Sequence, residues 1–265
     1  ENLYGCTVRL FEQVFEKFGI KTAWVDFTDL SAIESIKGHN PAMIWLESPT
    51  NPLLKIIDLE KICATANLHK VPVVVDNTFS TALLQRPLEL GATLSLTSTT
   101  KYINGHSDAL GGAVCTDSSE WQEKMTFAQK SLGLQPSPFD CWLITRGIKT
   151  LPIRLEKQVA NASAIADQLA KHRSVEWVRY PFRSDHPQQS VAIKQMKAGG
   201  AIVTARLKAD LNQTYSTCKS LRYFTMAESL GGVESLICHP ATMTHASVAT
   251  ETKERLREAG NNAEL

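Results

Sequence analysis

Hydrophobic and polar residues follow two rhythms in the first half of the chain. Apolar residues at helical spacing predict a helix that runs through Val8 and Phe18 and stops at Gly19. The same spacing predicts helices over residues 29–37 and 59–69. Short apolar runs predict strands, which cover residues 22–27, 42–47, 71–75, 94–98 and 112–115. Because strands and helices alternate, we expect a largely parallel sheet with helices on both faces.

The second half of the chain is predicted to be helical at first and mixed later. Helices are expected over residues 120–132 and 139–146, and a longer helical pattern runs through Val159 and Leu169. After Arg173 the composition changes, and the runs "SVEWVRY" and "AIVTARL" predict strands. Helices over residues 189–197 and 211–221 complete the pattern. We therefore expect a larger domain over residues 1–147 and a smaller α+β domain over residues 148–265.

Composition narrows the class of protein. Of the 265 residues, 43% are hydrophobic and 21% are charged, which is typical of a globular chain. Lys plus Arg is 28 and Asp plus Glu is 27, so no strong charge points to a nucleic acid or to a membrane surface. No apolar run reaches transmembrane length. The six cysteines follow no zinc spacing, and we expect separate thiols in a cytoplasmic protein.

Polar residues follow three of the predicted strands. Asn51 lies in "ESPTNP" after one strand, and Asp76 ends the run "VVVD". Ser98, Thr100 and Lys101 lie in "LTSTTKYINGHSDALGG" at the end of a third strand. In parallel sheets, ligands bind where such strand ends converge. A lysine there can form a Schiff base with an aldehyde, hydroxyls can hold a phosphate, and an aspartate can keep a pyridine nitrogen protonated. These are the requirements of pyridoxal 5′-phosphate (PLP).

Simpler interpretations of the same residues remain open at this point. A lysine after a strand is most often solvated, and an aspartate there is often the N-cap of the next helix. His106 and Asp108 could suggest a metal pair, but no third ligand is evident, so we expect a hydrogen-bonded loop and no metal. The pattern alone leaves a PLP site and these alternatives about equally supported.

Several longer motifs resemble the PLP-dependent family of cysteine and methionine metabolism, the transsulfuration enzymes. They are "NLYGCTVRLF", "LESPTNPLLKIIDL", "VVVDNTFSTALLQRPLELGA", "STTKYINGHSDALGG", "AESLGGVESL" and "PATMTHAS". The resemblance covers essentially the whole chain. It implies a PLP-dependent transferase fold of the aspartate aminotransferase type (fold type I), with a large PLP-binding domain and a smaller C-terminal domain. Cys6 departs from the family pattern, which usually has glycine there.

The resemblance also implies roles for residues around the cofactor. Lys101 is expected to form the Schiff base with PLP and to move protons during the reaction. Asp76 is expected to pair with the ring nitrogen. Tyr4 would stack over the ring and serve as an acid or base, while Ser98 and Thr100 would bind the phosphate.

A second group of residues is expected to bind an amino-acid substrate. Asn51 would contact the ring hydroxyl or the substrate carboxylate. Arg9, Ser229 and Thr244 are expected near the substrate carboxylate. Glu228 could meet the distal ammonium group of cystathionine, although a solvated acid at a helix start is the simpler interpretation.

The resemblance implies an enzyme that acts at Cγ of cystathionine-type substrates. The motifs favour a γ-lyase slightly over a γ-synthase. A methionine γ-lyase, an O-acylhomoserine sulfhydrylase and an inactive fragment stay as less favoured alternatives. The family also implies a homotetramer, built as a dimer of dimers with shared active sites. Because the chain starts at Glu1 without Met, we expect it to be part of a longer protein. The resemblance implies that an N-terminal segment before Glu1 and an arginine near the C-terminus complete the site.

Overall fold

The computed structural model describes residues 3–243 of the chain. A four-stranded sheet in the first half contains β1 (Ile44–Glu47), β2 (Val73–Asp76), β3 (Leu94–Ser98) and β4 (Gly112–Cys115), in that order. The pairs β1–β2 and β2–β3 are parallel, and β4 runs antiparallel to β3. The predicted α/β class with a mostly parallel sheet is confirmed.

The two strands at the start of this sheet are apolar on both faces. Val73, Val74 and Val75 are all buried, and helix α3 (Leu59–Leu68) packs its apolar side against β1 and β2. Asp58 starts this helix because its carboxylate accepts a hydrogen bond from the backbone N–H of Lys61. Each fully buried valine contributes about 1.5–3 kcal/mol to stability. This core therefore holds the strand ends in fixed positions.

The predicted N-terminal helix is present but irregular. It begins as α1 (Gly5–Arg9), widens to a π-helical turn over Leu10–Val14, and tightens to a 3-10 turn over Phe15–Phe18. Gly19 ends it with φ +80°, a left-handed conformation that suits glycine at a helix end. A second predicted helix is likewise mixed, with a 3-10 turn over Leu30–Glu34 that continues into α2 (Ser35–His39).

The prediction of a strand over residues 22–27 is wrong. Residues 22–26 are irregular and Phe27 lies in a turn, while β1 is the edge strand of the described sheet on that side. Phe27 instead packs against the core beside β1 and β2. Residues 22 and 23 are exposed and residues 24–27 are half-buried. The apolar run forms no strand because its backbone groups have no neighbouring strand within residues 3–243 to pair with.

A chain of turns and helices links the sheet to the second half. After β2 come α4 (Thr81–Leu84) and a 3-10 turn over Pro87–Leu90. A π-helical turn over Thr99–Ile103 follows β3. After β4, the chain forms α5 (Ser119–Leu132), α6 (Pro138–Gly147), a 3-10 turn over Ile148–Thr150 and α7 (Leu151–Ala170). The predicted division near residue 148 stays a prediction.

The rest of the second half forms small sheets. Strand β5 (Val175–Arg179) pairs antiparallel with β6 (Thr204–Leu207), and both pack against α7. Helices α8 (Gln189–Gln195) and α9 (Leu211–Lys219) agree with the predicted helices. The short strands β7 (Thr225–Met226) and β8 (Leu236–Ile237) were not predicted. A 3-10 turn over Pro240–Thr242 follows. None of the helices in residues 3–243 has the length and apolar character needed to cross a membrane.

Candidate active site

Three parallel strands bring their carboxyl ends to one edge of the sheet. Glu47 at the end of β1 lies beside Asp76 at the end of β2, and Asp76 lies beside Leu96 of β3. Ser98 ends β3, and the turn that contains Lys101 follows directly. The predicted convergence of polar strand ends is therefore present, because the parallel registers align them.

Lys101 is half-buried and not simply solvated. Its Nζ donates a hydrogen bond to Ser229 Oγ at 3.3 Å, across 128 positions of sequence. Burial lowers the pKa of Lys101, while Cys6 and Glu228 nearby act in the opposite direction. A lysine with a lowered pKa holds a larger fraction of the neutral amine, which is the nucleophilic form.

Asp76 is held by hydrogen bonds rather than by a cation. Its Oδ1 accepts bonds from the backbone N–H of Thr78 at 3.0 Å and from Thr78 Oγ1 at 2.6 Å. Burial raises the pKa of Asp76, and the bonds from Thr78 counteract that rise. Within residues 3–243, no basic side chain forms an ion pair with Asp76. Helix α4 has Ser80 as its N-cap, so Asp76 does not serve as one. A buried carboxylate that is held by hydrogen bonds and has no cationic partner within the described residues suits a cationic ring nitrogen.

Thr78 connects the ends of two strands, and sequence reasoning missed it. Besides donating to Asp76, its hydroxyl accepts a bond from the backbone N–H of Ser98 at 2.9 Å. An aspartate side chain that accepts the backbone N–H two residues later forms a common turn. The "DNT" run was therefore the available signal for Thr78.

The loop after Lys101 is held by its own hydrogen bonds. Thr100 Oγ1 accepts from the backbone N–H of Gly111 at 3.0 Å and lies 3.3 Å from Gly111 O, to which it donates. Asp108 accepts from Asn104 Nδ2 at 2.9 Å, and His106 Nδ1 lies 2.8 Å from Asn104 O. The expected hydrogen-bonded loop is confirmed for His106 and Asp108. The phosphate roles of Ser98 and Thr100 stay predictions.

The N-terminal residues add a polar face to the site. Tyr4 is 41% exposed, and its pKa is raised to about 12, chiefly by a hydrogen bond with the Cys6 side chain and then by burial. Arg9 Nη2 donates to Cys6 Sγ at 2.8 Å. Cys6 therefore lies between the phenol of Tyr4 and the guanidinium of Arg9, where glycine would leave both without this partner.

Glu47 is a buried carboxyl group that sequence reasoning missed. Only 4% of the residue is exposed, and its Oε2 accepts the backbone N–H of Tyr4 at 2.9 Å. The backbone N–H of Asn51 bonds to the same carboxyl group. Burial, and then the charge of Asp76, raise the pKa of Glu47 well above its usual range. The available signal was an acid at the end of an otherwise apolar strand.

The segment "ESLGG" brings two further predicted residues to the site. Ser229 contacts Lys101, and the exposed Glu228 is near enough to influence the pKa values of Lys101 and Tyr4. Gly231 allows this approach, because a Cβ there would lie 2.8 Å from the backbone carbon of Lys101. The structure thus brings Tyr4, Lys101, Glu228 and Ser229 together. Thr244 lies outside the described residues.

Together, these residues match the chemistry of PLP. Asp76 offers a carboxylate, held by Thr78, for the ring nitrogen, and Lys101 offers a half-buried amine for the aldehyde. Tyr4 offers an exposed aromatic ring. When bound, PLP supplies an electron sink for the charge that develops on an amino-acid substrate.

Comparison with known proteins gives relatives along nearly the whole chain. The family model for Cys/Met metabolism PLP-dependent enzymes matches residues 1–261. A cystathionine β-lyase from Coxiella burnetii is 45% identical and aligns with 97% of this chain and 67% of its own length. A cystathionine γ-lyase from Dictyostelium discoideum is 43% identical, with coverages of 97% and 66%.

Solved structures agree with the sequence relatives. The cystathionine γ-synthase from Xanthomonas oryzae pv. oryzae, in complex with aminoacrylate and cysteine, superposes with a TM-score of 0.93. It is 41% identical, and the match covers 96% of this chain and 66% of that one. The chain spans about two thirds of the length of these relatives. The chain belongs to the family of Cys/Met metabolism PLP-dependent enzymes.

Proposed function

We propose that the protein containing this chain is a cystathionine γ-lyase. It would cleave the bond between sulfur and Cγ of cystathionine with one water, giving cysteine, 2-oxobutanoate and ammonia. The observation that carries this proposal is the place of Glu228, beside Ser229 and near Lys101 and Tyr4. Cystathionine has a second ammonium group far from its reacting Cα. A carboxylate at the rim of the site suits that group.

The residues of the chain would share the remaining tasks. Asp76 would stabilise the positive charge of the ring nitrogen. Lys101 would hold the cofactor and afterwards move protons between the carbon atoms of the substrate, with its amine oriented by Ser229. Tyr4 stays protonated at neutral pH, since its pKa is about 12, so it would act first as a proton donor.

A cystathionine γ-synthase is the alternative. It is supported by the close structural match to the γ-synthase from Xanthomonas oryzae pv. oryzae. Both reactions break or make the same bond at Cγ, and therefore need the same residues around Cα and Cγ. The relatives also include a β-lyase, which would cleave on the other side of sulfur and yield pyruvate.

Product analysis of the full-length protein distinguishes these activities. With cystathionine alone, we expect cysteine and 2-oxobutanoate. Pyruvate with homocysteine would instead identify a β-lyase. Formation of cystathionine from an O-acylhomoserine and cysteine, faster than its cleavage, would identify a synthase and contradict the proposal.

The role of Lys101 can be tested without any substrate. Borohydride should fix the cofactor to Lys101, which peptide mapping would identify, and Lys101→Ala should lose the visible absorbance of the bound cofactor. The exposed Lys130→Ala serves as the control. Attachment of the cofactor to a different lysine would contradict this assignment.

We also propose self-association and a reducing compartment. Exposed large apolar side chains are concentrated in and around α5, α6 and the start of α7, namely Phe127, Leu132, Leu134, Phe139, Trp142, Ile148 and Ile153. Such surfaces commonly pack against another copy, which agrees with the expected tetramer.

The proposal of a reducing compartment rests on the cysteines. All six cysteines are free thiols, as expected in the cytoplasm.

A further inference from the structure

Arg154 of α7 binds the last backbone carbonyl groups of the turn that contains Lys101. Arg154 Nη1 donates to Tyr102 O at 2.9 Å, and Nη2 lies 3.4 Å from Ile103 O, to which it also donates. The last carbonyls of a helical turn have no partner within the turn and carry partial negative charge. A guanidinium satisfies them with several parallel donors, which a lysine cannot do.

The same guanidinium is anchored from its other side. Nη2 donates to Gly147 O at 3.0 Å, and Nε donates to Thr150 Oγ1 at 2.9 Å. These contacts come from the end of α6 and from the 3-10 turn before α7. Arg154 therefore joins three elements, and its position is fixed independently of the turn it holds.

Two glycines make room for this arrangement. A Cβ on Gly105, which has φ +75°, would overlap the guanidinium of Arg154. A Cβ on Gly147 would overlap the carbonyl oxygen of Asn104. The backbone after Lys101 thus approaches both Arg154 and α6 more closely than any other residue at these positions would allow.

The opposite side of the turn is closed by the segment that contributes Ser229. Gly231 packs on the backbone of Lys101 and Tyr102. Tyr102 itself is buried against Leu151 and Leu155 of α7. The turn is therefore held between α7 and Gly231, and the Nζ of Lys101 reaches Ser229 from this held backbone.

We propose that Arg154 is a positioning residue, which aims Lys101 at the cofactor and the substrate by fixing the carbonyl groups of Tyr102 and Ile103. The proposal depends on the proposed role of Lys101 as the cofactor lysine. Arg154 does not touch the reacting atoms. Its effect comes from the geometry of the backbone from which the lysine side chain extends, where small displacements strongly change rates.

The experiment compares Arg154→Lys with Arg86→Lys in the full-length protein. Arg86→Lys is the matched control, because Arg86 is exposed and pairs with Glu89 at the surface. Lysine keeps the charge of Arg154 but cannot bind four acceptors at once. We expect the rate constant for covalent attachment of PLP to the cofactor-free protein to fall on the order of 10- to 100-fold. We also expect kcat to fall in parallel while KM stays within about twofold, because substrate contacts are unchanged. Arg86→Lys should attach PLP at the wild-type rate.

Hydrogen exchange of the cofactor-free protein separates a positioning role from a general loss of stability. Arg154→Lys should speed exchange of the amides of residues 101–105 more than those of β2. If Arg154→Lys does not fold, Thr150→Val, which removes one anchor of the guanidinium, should show the same changes to a smaller degree.

Two outcomes overturn the proposal: a folded Arg154→Lys protein that attaches PLP at the wild-type rate, or one in which exchange rises equally throughout. Failure of the role of Lys101 has a different signature, because borohydride would then label another lysine in the wild-type protein. The exchange result would still report whether Arg154 holds the turn.

Discussion

At the scale of single residues, Glu47 is a side chain whose protonation depends strongly on its surroundings. It is buried beside Asp76, and its pKa is raised well above its usual range. A carboxyl group whose pKa is raised on folding binds more protons in the folded state. Its contribution to stability is therefore present below the unfolded pKa and is lost as the pH rises through the folded pKa.

We therefore predict that Glu47→Gln stabilises the cofactor-free protein increasingly as pH rises. The glutamine oxygen can accept the N–H of Tyr4, and no charge has to be buried. Any loss of the bond from the N–H of Asn51 costs the same at every pH, so it does not change the trend. Each pKa unit corresponds to about 1.4 kcal/mol, and each kcal/mol moves Tm by about 2–4 °C at this size. Thermal denaturation at pH 5 and pH 8 would measure the difference. The exposed Glu89→Gln is the control, and equal Tm differences at both pH values would contradict the prediction.

Glu228 gives a second prediction at this scale, about substrate choice. Glu228→Gln keeps the shape of the side chain and removes its charge. We expect KM for cystathionine to rise on the order of 10-fold, the effect of losing one charge-assisted hydrogen bond, with kcat changed much less. Discrimination against methionine, which has an apolar distal group, should weaken.

The control for this substitution is Glu234→Gln. Glu234 lies on the same segment and accepts a hydrogen bond from Ser107 Oγ at 3.3 Å. An unchanged ratio of kcat/KM values for cystathionine and methionine in Glu228→Gln would remove the proposed role of Glu228.

At the scale of elements, the hydroxyl group of Thr78 links the turn after β2 to the end of β3. Thr78→Val keeps the side-chain volume but leaves the backbone N–H of Ser98 without its bond. We expect a loss of about 1–3 kcal/mol of stability. Because the hydroxyl of Thr78 also lowers the pKa of Asp76, that pKa should rise in the variant, and the acid limb of the kcat profile should move to higher pH.

A matched control for this prediction exists on α3. Thr65 Oγ1 donates to Lys61 O at 3.1 Å on an exposed part of that helix, so Thr65→Val tests the chemical change without the strand ends. If the Thr78→Val protein has the wild-type Tm and the acid limb of its kcat profile does not move, the hydrogen bonds of the Thr78 hydroxyl are unimportant.

The same elements show how far sequence alone could go. The strands that end near Asp76 and Lys101 were predicted, since their apolar runs are bounded by polar residues. The contacts of Glu47, Thr78 and Arg154 were not, because they join positions 43, 20 and 52 residues apart. The wrong strand prediction over residues 22–27 has the same cause, because strand pairing depends on distant segments that local spacing does not reveal.

At the scale of the whole molecule, the exposed apolar surface around α5 and α6 is where we expect copies of the protein to meet. Phe127 is 72% exposed, Phe139 65% and Trp142 57%. The rings of Phe139 and Trp142 lie 5.8 Å apart, so they form a joint aromatic surface on α6. Large apolar side chains in water are unfavourable, and a second copy would cover them at a gain of about 25 cal/mol per Å² of buried apolar surface.

We therefore predict that the full-length protein is oligomeric and that Trp142→Glu weakens its assembly. A charge placed in a desolvated interface has no partner, so the sedimentation profile should shift toward smaller, concentration-dependent species. Leu68→Glu is the matched control, because Leu68 is 82% exposed on α3 and far in sequence from this surface. If Trp142→Glu sediments as the wild type does at every concentration, this surface is not the interface between copies. If activity also falls on dilution of Trp142→Glu but not of Leu68→Glu, the active sites depend on assembly.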